Sequence, residues 1–251
     1  SNPVYFRIKH IEYTPGVGWG SVSLVDSAPS DSNFQASVAV DPADSVYVVW
    51  RKKVAGYWQV FYRWRNSSGI WRDVEQVSDV NSNADMFACA VAVDGATVHV
   101  VWNGDIPGSS SDRIFYRPRT EGGWGTTEIV STYGNGNQYD PVVSISDGII
   151  DVVWRGYTEI SPSRFEILCR QKQTGLWGDV MQLTNRSQTG LYYPALAVGV
   201  FDDLHIVWYD NSDGENDVYY IRGELVDAGV ASILAPSGFV IPGTPVTPRM
   251  V

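Results

Sequence analysis

The side chains of this 251-residue chain that could do chemistry are carboxylates, amides and aromatics gathered in short polar stretches. With only three histidines (His10, His99 and His205), imidazole chemistry is scarce. No serine nucleophile elbow, phosphate-cradling glycine loop, dinucleotide fingerprint or zinc spacing is written in the chain. Carboxylates remain: Asp85, Asp105, Asp140 and Glu159 all fall in polar stretches. Two of them set about 5–9 Å apart across a glycosidic bond are what sugar hydrolysis requires. An aromatic recurs beside them, as Phe34, Phe87, Tyr139 and Tyr192 with Tyr193. Such a ring stacks on the C–H face of a sugar, while neighbouring polar groups such as Asn33, Asp85, Gln138 and Asp140 bond its hydroxyls. The same rings would serve equally to plug a central channel. In "GYW", Tyr57 and Trp58 form an aromatic pair suited to a sugar or to a protein partner. The stretch from Asp210 through Asp213 to Asp217 offers hard oxygen ligands that could hold Ca²⁺. It lacks the bidentate glutamate of an EF-hand, so a solvated acidic turn is the other reading; no other cofactor is expected.

What positions these residues is a repeat. "VYVVW", "VHVVW", "IDVVW" and "LHIVW" end at Trp50, Trp102, Trp154 and Trp208, spaced by 52, 52 and 54 residues. An apolar run precedes each, a run ending in Arg63, Arg117, Arg170 or Arg222 follows, and three of the four then reach a glycine turn and a second tryptophan (Trp71, Trp124, Trp177). Each unit therefore reads as four short strands, a to d. Within "VYVVW", Val46, Val48 and Trp50 face one way and Tyr47 and Val49 the other. Both faces are apolar, so strand b must be buried on both sides. A period of about 50 residues with four strands per unit is the signature of a β-propeller, whose blades bury each other's faces.

The expected fold is all-β, a propeller of four-stranded antiparallel blades. Units span about 36–79, 88–132, 141–185 and 194–235, and residues 1–26 supply strands c and d of a partial blade. Five blades follow; four blades plus extra terminal strands, or part of a larger ring, are the alternatives. Residues 1–235 make one domain, and Pro-rich 236–251 a tail or closing strand. The four tryptophans read as inter-blade packing, and the repeated arginines as partners of a neighbouring blade or covers for an aromatic face. His99 and His205 sit inside strand b and read as packing residues with a local hydrogen bond. Cys89 and Cys169 occupy different points of the repeat and read as buried free thiols.

The turns between strands c and d, with Gly69/Trp71, Gly122/Trp124 and Gly175/Trp177, resemble weakened Asp-boxes of sialidase-like (BNR repeat) propellers, their Ser and Asp positions mostly lost. The wider pattern resembles such repeats over about 220 residues. The resemblance implies the fold; the arginines recur symmetrically around a ring, so a sialidase arginine cluster is not carried over.

On that scaffold the d–a and b–c loops share one face, where Phe34, Tyr57, Trp58, Asp85, Phe87, Tyr139, Asp140, Tyr192 and Tyr193 are the candidate ligand-binding residues. A secreted or cell-surface binding module for carbohydrate, or for a protein, is the first expectation. A glycan-active hydrolase or lyase using loop carboxylates is the second, and an assembly domain of a larger surface protein the third. A net charge of −10 disfavours nucleic acid. No apolar run is long enough to insert in a membrane, and no signal peptide is seen, as in a mature secreted form or an excised domain. The oligomeric state is left open.

Overall fold

A computed structural model describes residues 6–26, 32–79, 84–106, 111–132, 136–158, 164–185, 190–199, 202–211, 214 and 217–223. The closing segment 236–251 and any last strand of the fourth blade lie outside these residues.

The chain is a β-propeller. Its sheets are antiparallel meanders, each strand pairing with the next. Blade 1 contains Asn33–Val40, Val46–Val54, Tyr57–Arg65 and Glu75–Gln76. Blade 2 contains Met86–Asp94, Thr97–Asp105 and Asp112–Thr120, with a fourth strand split into Gly123–Trp124 and Glu128–Ile129. Blade 3 repeats that plan with Gln138–Ser146, Ile149–Tyr157, Phe165–Gln173, Leu176–Trp177 and Met181–Gln182. Blade 4 shows three strands among the described residues, Leu191–Val198, Leu204–Asp210 and Asp217–Gly223. The N-terminal segment contributes paired short strands, Lys9–His10 with Ser23–Leu24 and Tyr13–Thr14 with Gly18–Trp19. It packs on blade 1 as the c and d strands of a blade ahead of it, consistent with about five blades.

Each hydrophobic core lies between consecutive sheets, as the two-sided strand b demands. Val25 of the N-terminal segment meets Val46, Val48 and Trp50. On the opposite face of the same strand, Tyr47 and Val49 join Tyr62 and Val77 against Val98, Val100 and Trp102 of blade 2. Trp154 closes the next junction with Ile114, Tyr116 and Val130, and Trp208 the one after with Ile167, Cys169 and Leu183. All four tryptophans are fully buried. Each points at the preceding blade, so the repeated "VVW" is one tongue fitted four times into one groove. Cys89 and Cys169 are buried free thiols.

The repeated arginines rivet these junctions. Arg63 donates to Val25 O at 2.7 Å and to Arg72 O in its own c–d turn at 2.5 Å. Arg117 does the same with Val77 O and Gly125 O, and Arg170 with Val130 O and Gly178 O. Each lies over the turn tryptophan, Trp71, Trp124 or Trp177. Arg222 does not belong to this series. Trp208 pairs with Tyr219 where Trp50 pairs with Phe61, which sets Ile221, not Arg222, opposite the Arg63 position. Arg222 instead pairs with Asp203. The blade 4 hairpin has the same length from tryptophan to partner as that of blade 1, and Arg222 lies one residue farther along strand c, so the "R" at its end is a coincidence of spacing.

A second set of latches runs on carboxylates. Glu75 of blade 1 accepts both Arg119 and the Trp124 indole N–H of blade 2. Glu128 of blade 2 likewise accepts Lys172 and the Trp177 N–H of blade 3. The histidines inside strand b bond locally, His99 Nδ1 to Tyr116 Oη at 2.9 Å and His205 Nδ1 to Tyr220 Oη at 2.8 Å.

Candidate functional site

Strand a begins earlier than the apolar pattern predicts, at Asn33, Met86, Gln138 and Leu191. The aromatics expected in d–a loops are therefore on strands. Phe34 pairs with Arg51, Tyr139 with Arg155 and Tyr192 with Tyr209, and then the register slips. Two residues of strand a face one of strand b, a β-bulge that re-aims side chains. The first bulged residue has positive φ in three blades: Gln35 (48°), Asp140 (53°) and Tyr193 (49°). Non-glycine residues seldom adopt that conformation. Three equivalent cases at one end of the ring mark where backbone strain is retained.

The slip has a chemical consequence. Arg155 ion-pairs with Asp140 at 2.6 Å and lies over the rings of Tyr139, Phe165 and Tyr192 at 5.2, 5.0 and 4.8 Å. Tyr193, 70% exposed, flanks the same guanidinium at 6.0 Å. Arg51 stands in a matching box: Trp58 at 4.7 Å, Phe34 and Phe87 at 5.8 Å. In both, the arginine follows the buried tryptophan. Its box is built from the aromatic of its own strand a, the aromatic opening strand c, and the aromatic of the next blade.

Between these boxes, at the junction of blades 2 and 3, sits a pair of carboxyl groups. Asp105 and Asp112 face each other across the b–c hairpin and are hydrogen-bonded. Asn103 donates to Asp112 at 3.1 Å, and the Asp112 N–H reaches Asn137 Oδ1 at 3.0 Å. Burial, and then the carboxyl of Asp105, raise Asp112 to about 7, so it keeps a proton near neutrality. Asp105 is the more exposed of the two. Tyr139 links this pair to the Arg155 box: its hydroxyl takes the Asn137 side-chain N–H at 2.6 Å and its ring lies under Arg155.

The other expected residues are placed as follows. Tyr57 and Trp58 open strand c directly after a tight Ala55–Gly56 turn, both with positive φ, so "GYW" is a hairpin and not a loop. Trp58 lies against Arg51, and its backbone N–H binds Asp85 Oδ1 at 2.7 Å. Asp210 and Asp217 are opposed across the blade 4 hairpin. Asp213 and Glu159 lie outside the described residues, among which no three His, Cys, Asp or Glu are grouped to hold a metal ion. Asn33 and Gln138, expected to meet ligand hydroxyls, are buried beneath the face instead. They accept the indole N–H of Trp50 and Trp154 at 2.9 and 2.7 Å.

Gln138 is the keystone under Tyr139. Its amide also donates to Gly136 O and Tyr157 O, both at 3.1 Å. Gly156 makes room for it, since a Cβ there would fall 1.8 Å from Gln138 Oε1. Gly156→Ala is expected to expel Gln138 and orphan the Trp154 N–H, lowering stability in urea titration by about 2–4 kcal/mol.

Sequence reasoning missed Arg51, Arg155, Asp112 and Phe165. For the two arginines the signal was the residue right after each tryptophan, Arg51, Asn103, Arg155 and Tyr209, which varies while the Val-Trp before it repeats.

Neither a family model nor a curated relative matches the chain. Solved structures do, at identities that show the fold alone. An α-L-arabinanase of Penicillium chrysogenum, solved with arabinobiose, superposes with a TM-score of 0.58 at 11% identity, over 87% of this chain and 74% of its own. An endo-arabinase of Bacteroides thetaiotaomicron gives 0.52 at 10%, over 89% and 96%. A sucrose-6-phosphate hydrolase of Lactobacillus gasseri gives 0.55 at 12% over 81% of this chain, which spans only 47% of that enzyme. The likeness is to arabinanase-type propeller glycoside hydrolases and carries no Asp-box family with it.

Proposed function

We propose that this propeller is a glycan-directed hydrolase whose proton donor is the Asp105–Asp112 pair. The observation that carries this reading is Asp112, held protonated to about 7 by burial and by Asp105 at the candidate face. Glycoside hydrolysis needs one carboxyl that brings a proton to the leaving oxygen and one ionised carboxylate on the other side of the bond. Asp105 and Asp112 touch, so they cannot flank a bond. They act as one unit, Asp112 as reservoir and Asp105 as the exposed member. The opposing carboxylate is Asp140, across Tyr139 and fixed by Arg155. Tyr192, Tyr193, Phe34 and Trp58 offer stacking surfaces on either side. The structural neighbours favour this over a pure binding module, because those named above are hydrolases or arabinanases.

The test is release of reducing ends from a panel of plant and microbial polysaccharides, arabinan first among them. Asp105→Asn and Asp112→Asn should each lower the rate by about 10²-fold or more. Wild-type rates in both variants would refute the assignment. A second reading rests on the contact between Asp105 and Asp112, which leaves no bond-sized gap: a carbohydrate-binding module. It predicts saturable glycan binding with no reducing ends released by the wild-type protein.

A further inference from the structure

The two arginine boxes are built alike but filled differently. In blade 3 the bulged residue is Asp140, whose carboxylate meets the Arg155 Nε at 2.6 Å. In blade 1 the same bulge position holds Gln35, whose backbone oxygen accepts the Cys89 thiol. The Arg51 guanidinium has no hydrogen bond within the described residues, and its Nε is buried without a partner. Its surroundings are rings, Phe34, Trp58 and Phe87. Asp85 contributes a favourable field, but its Oδ1 is engaged by the Trp58 N–H. Burial lowers the Arg51 pKa; the guanidinium remains charged all the same. A buried cationic N–H with nothing to bind is costly, and native structures rarely keep one idle.

We infer that the Arg51 box is a subsite for a carboxylate-bearing sugar, a uronic acid residue of an acidic glycan, whose carboxylate takes the place that Asp140 fills at Arg155. Blade 3 shows the geometry the ligand would reproduce: a planar carboxylate on the edge of the guanidinium, between aromatic walls. Here the walls stack the sugar ring and the guanidinium edge takes the charge. Phosphate and sulfate are charged too, but the internal precedent is a carboxylate. The inference rests on the glycan reading above, and names the class of glycan.

The experiment is calorimetric binding of oligogalacturonate, its methyl ester and neutral arabino-oligosaccharide, at 20 and 300 mM salt (both on the order of common practice), to wild type, Arg51→Met and Gln35→Asp. Wild type should bind oligogalacturonate at least about tenfold more tightly than the ester, with the preference shrinking at high salt. Arg51→Met should lose that preference, its affinity for the acid falling to that for the ester. Gln35→Asp, which copies blade 3, should occupy Arg51 internally, abolish acid binding and raise the melting temperature. Equal affinity of wild type for acid and ester overturns the inference. So does unchanged acid binding in both variants, or equal binding of poly-glutamate, which would make the site a reader of acidic peptides. Acid binding that depends on Arg51, with no reducing ends released from any glycan, leaves this subsite standing and removes the hydrolase. Reducing-end release from neutral glycans alone, with no acid preference, does the reverse.

Discussion

Trp154→Ala is expected to cost at least about 4–5 kcal/mol, and Trp102→Ala less, although the two residues occupy equivalent places. Both are buried to within 1%, so the lost transfer energy and cavity are alike, about 3–5 kcal/mol. They differ in the indole N–H. That of Trp154 is bound by Gln138, whose buried Oε1 loses this donor on mutation, a further penalty of about 1–3 kcal/mol. That of Trp102 has no partner within the described residues, because Met86 stands where Gln138 does. Tryptophan-to-phenylalanine exchanges isolate the point: Trp154→Phe should cost about 2 kcal/mol more than Trp102→Phe in urea unfolding. Met86→Gln, which supplies the missing acceptor, should stabilise by about 1 kcal/mol. Equal costs in the two phenylalanine variants would mean that the Gln138 contact contributes nothing.

The same contrast shows what the sequence could and could not reveal. The ring was legible because packing repeats: Trp50, Trp102, Trp154 and Trp208 meet one environment four times, and a period of 52 residues is visible without coordinates. The rivets Arg63, Arg117 and Arg170 were legible for the same reason. Arg222 misled because it lies one residue farther along strand c than Arg63 does from the partner of its tryptophan, and a letter count cannot see register. The site was legible only in its aromatics. Phe34, Phe87, Tyr139 and Tyr192 stood out as residue types, but the bulges that turn Asp140 onto Arg155 depend on φ at single positions. Asn33 and Gln138 read as surface polar groups because nothing in their type says that each lies under a tryptophan N–H. Asp112 carries no signal of its own in the sequence. Its importance comes from Asp105, seven residues earlier, which the hairpin folds against it.

Blades 1 and 3 and blades 2 and 4 thus form two alternating kinds. The first kind carries an amide under the tryptophan and an arginine after it, Asn33 with Arg51 and Gln138 with Arg155. The second carries an apolar residue in the first place, Met86 or Leu191, and Asn103 or Tyr209 in the second. Apolar packing tolerates this freely, since the core below the bulge is the same in both kinds. This variation lies at the bulged end of strand a and the end of strand b that pairs with it, where ligand chemistry can change without disturbing the ring.

Replacing Asp112 by asparagine should stabilise the protein in a way that grows with pH. The folded-state value of about 7 lies above the unfolded value of 3.8. Between those limits the folded chain binds more protons at this site than the unfolded one, so stability from this group falls as pH rises. Below about pH 4 both states are protonated and nothing is lost; above about pH 7 both are ionised and the whole penalty is present. Other groups titrate in the same window. Asp151, raised to about 6 by burial, pulls in the same direction, whereas His99, lowered to about 4 by burial, pulls the other way. Asp41 and Asp203, both lowered, act below about pH 4. The raw melting curve therefore mixes signs, but the difference between variant and wild type isolates Asp112. That difference should be near zero at pH 4 and reach a plateau of about 5 °C above pH 7, corresponding to about 1–2 kcal/mol after allowing for solvent near Asp105. A difference that is flat from pH 4 to pH 8 would show that Asp112 is ionised throughout. The proton donor would then have to be sought at another carboxyl, with the pair left as a structural contact.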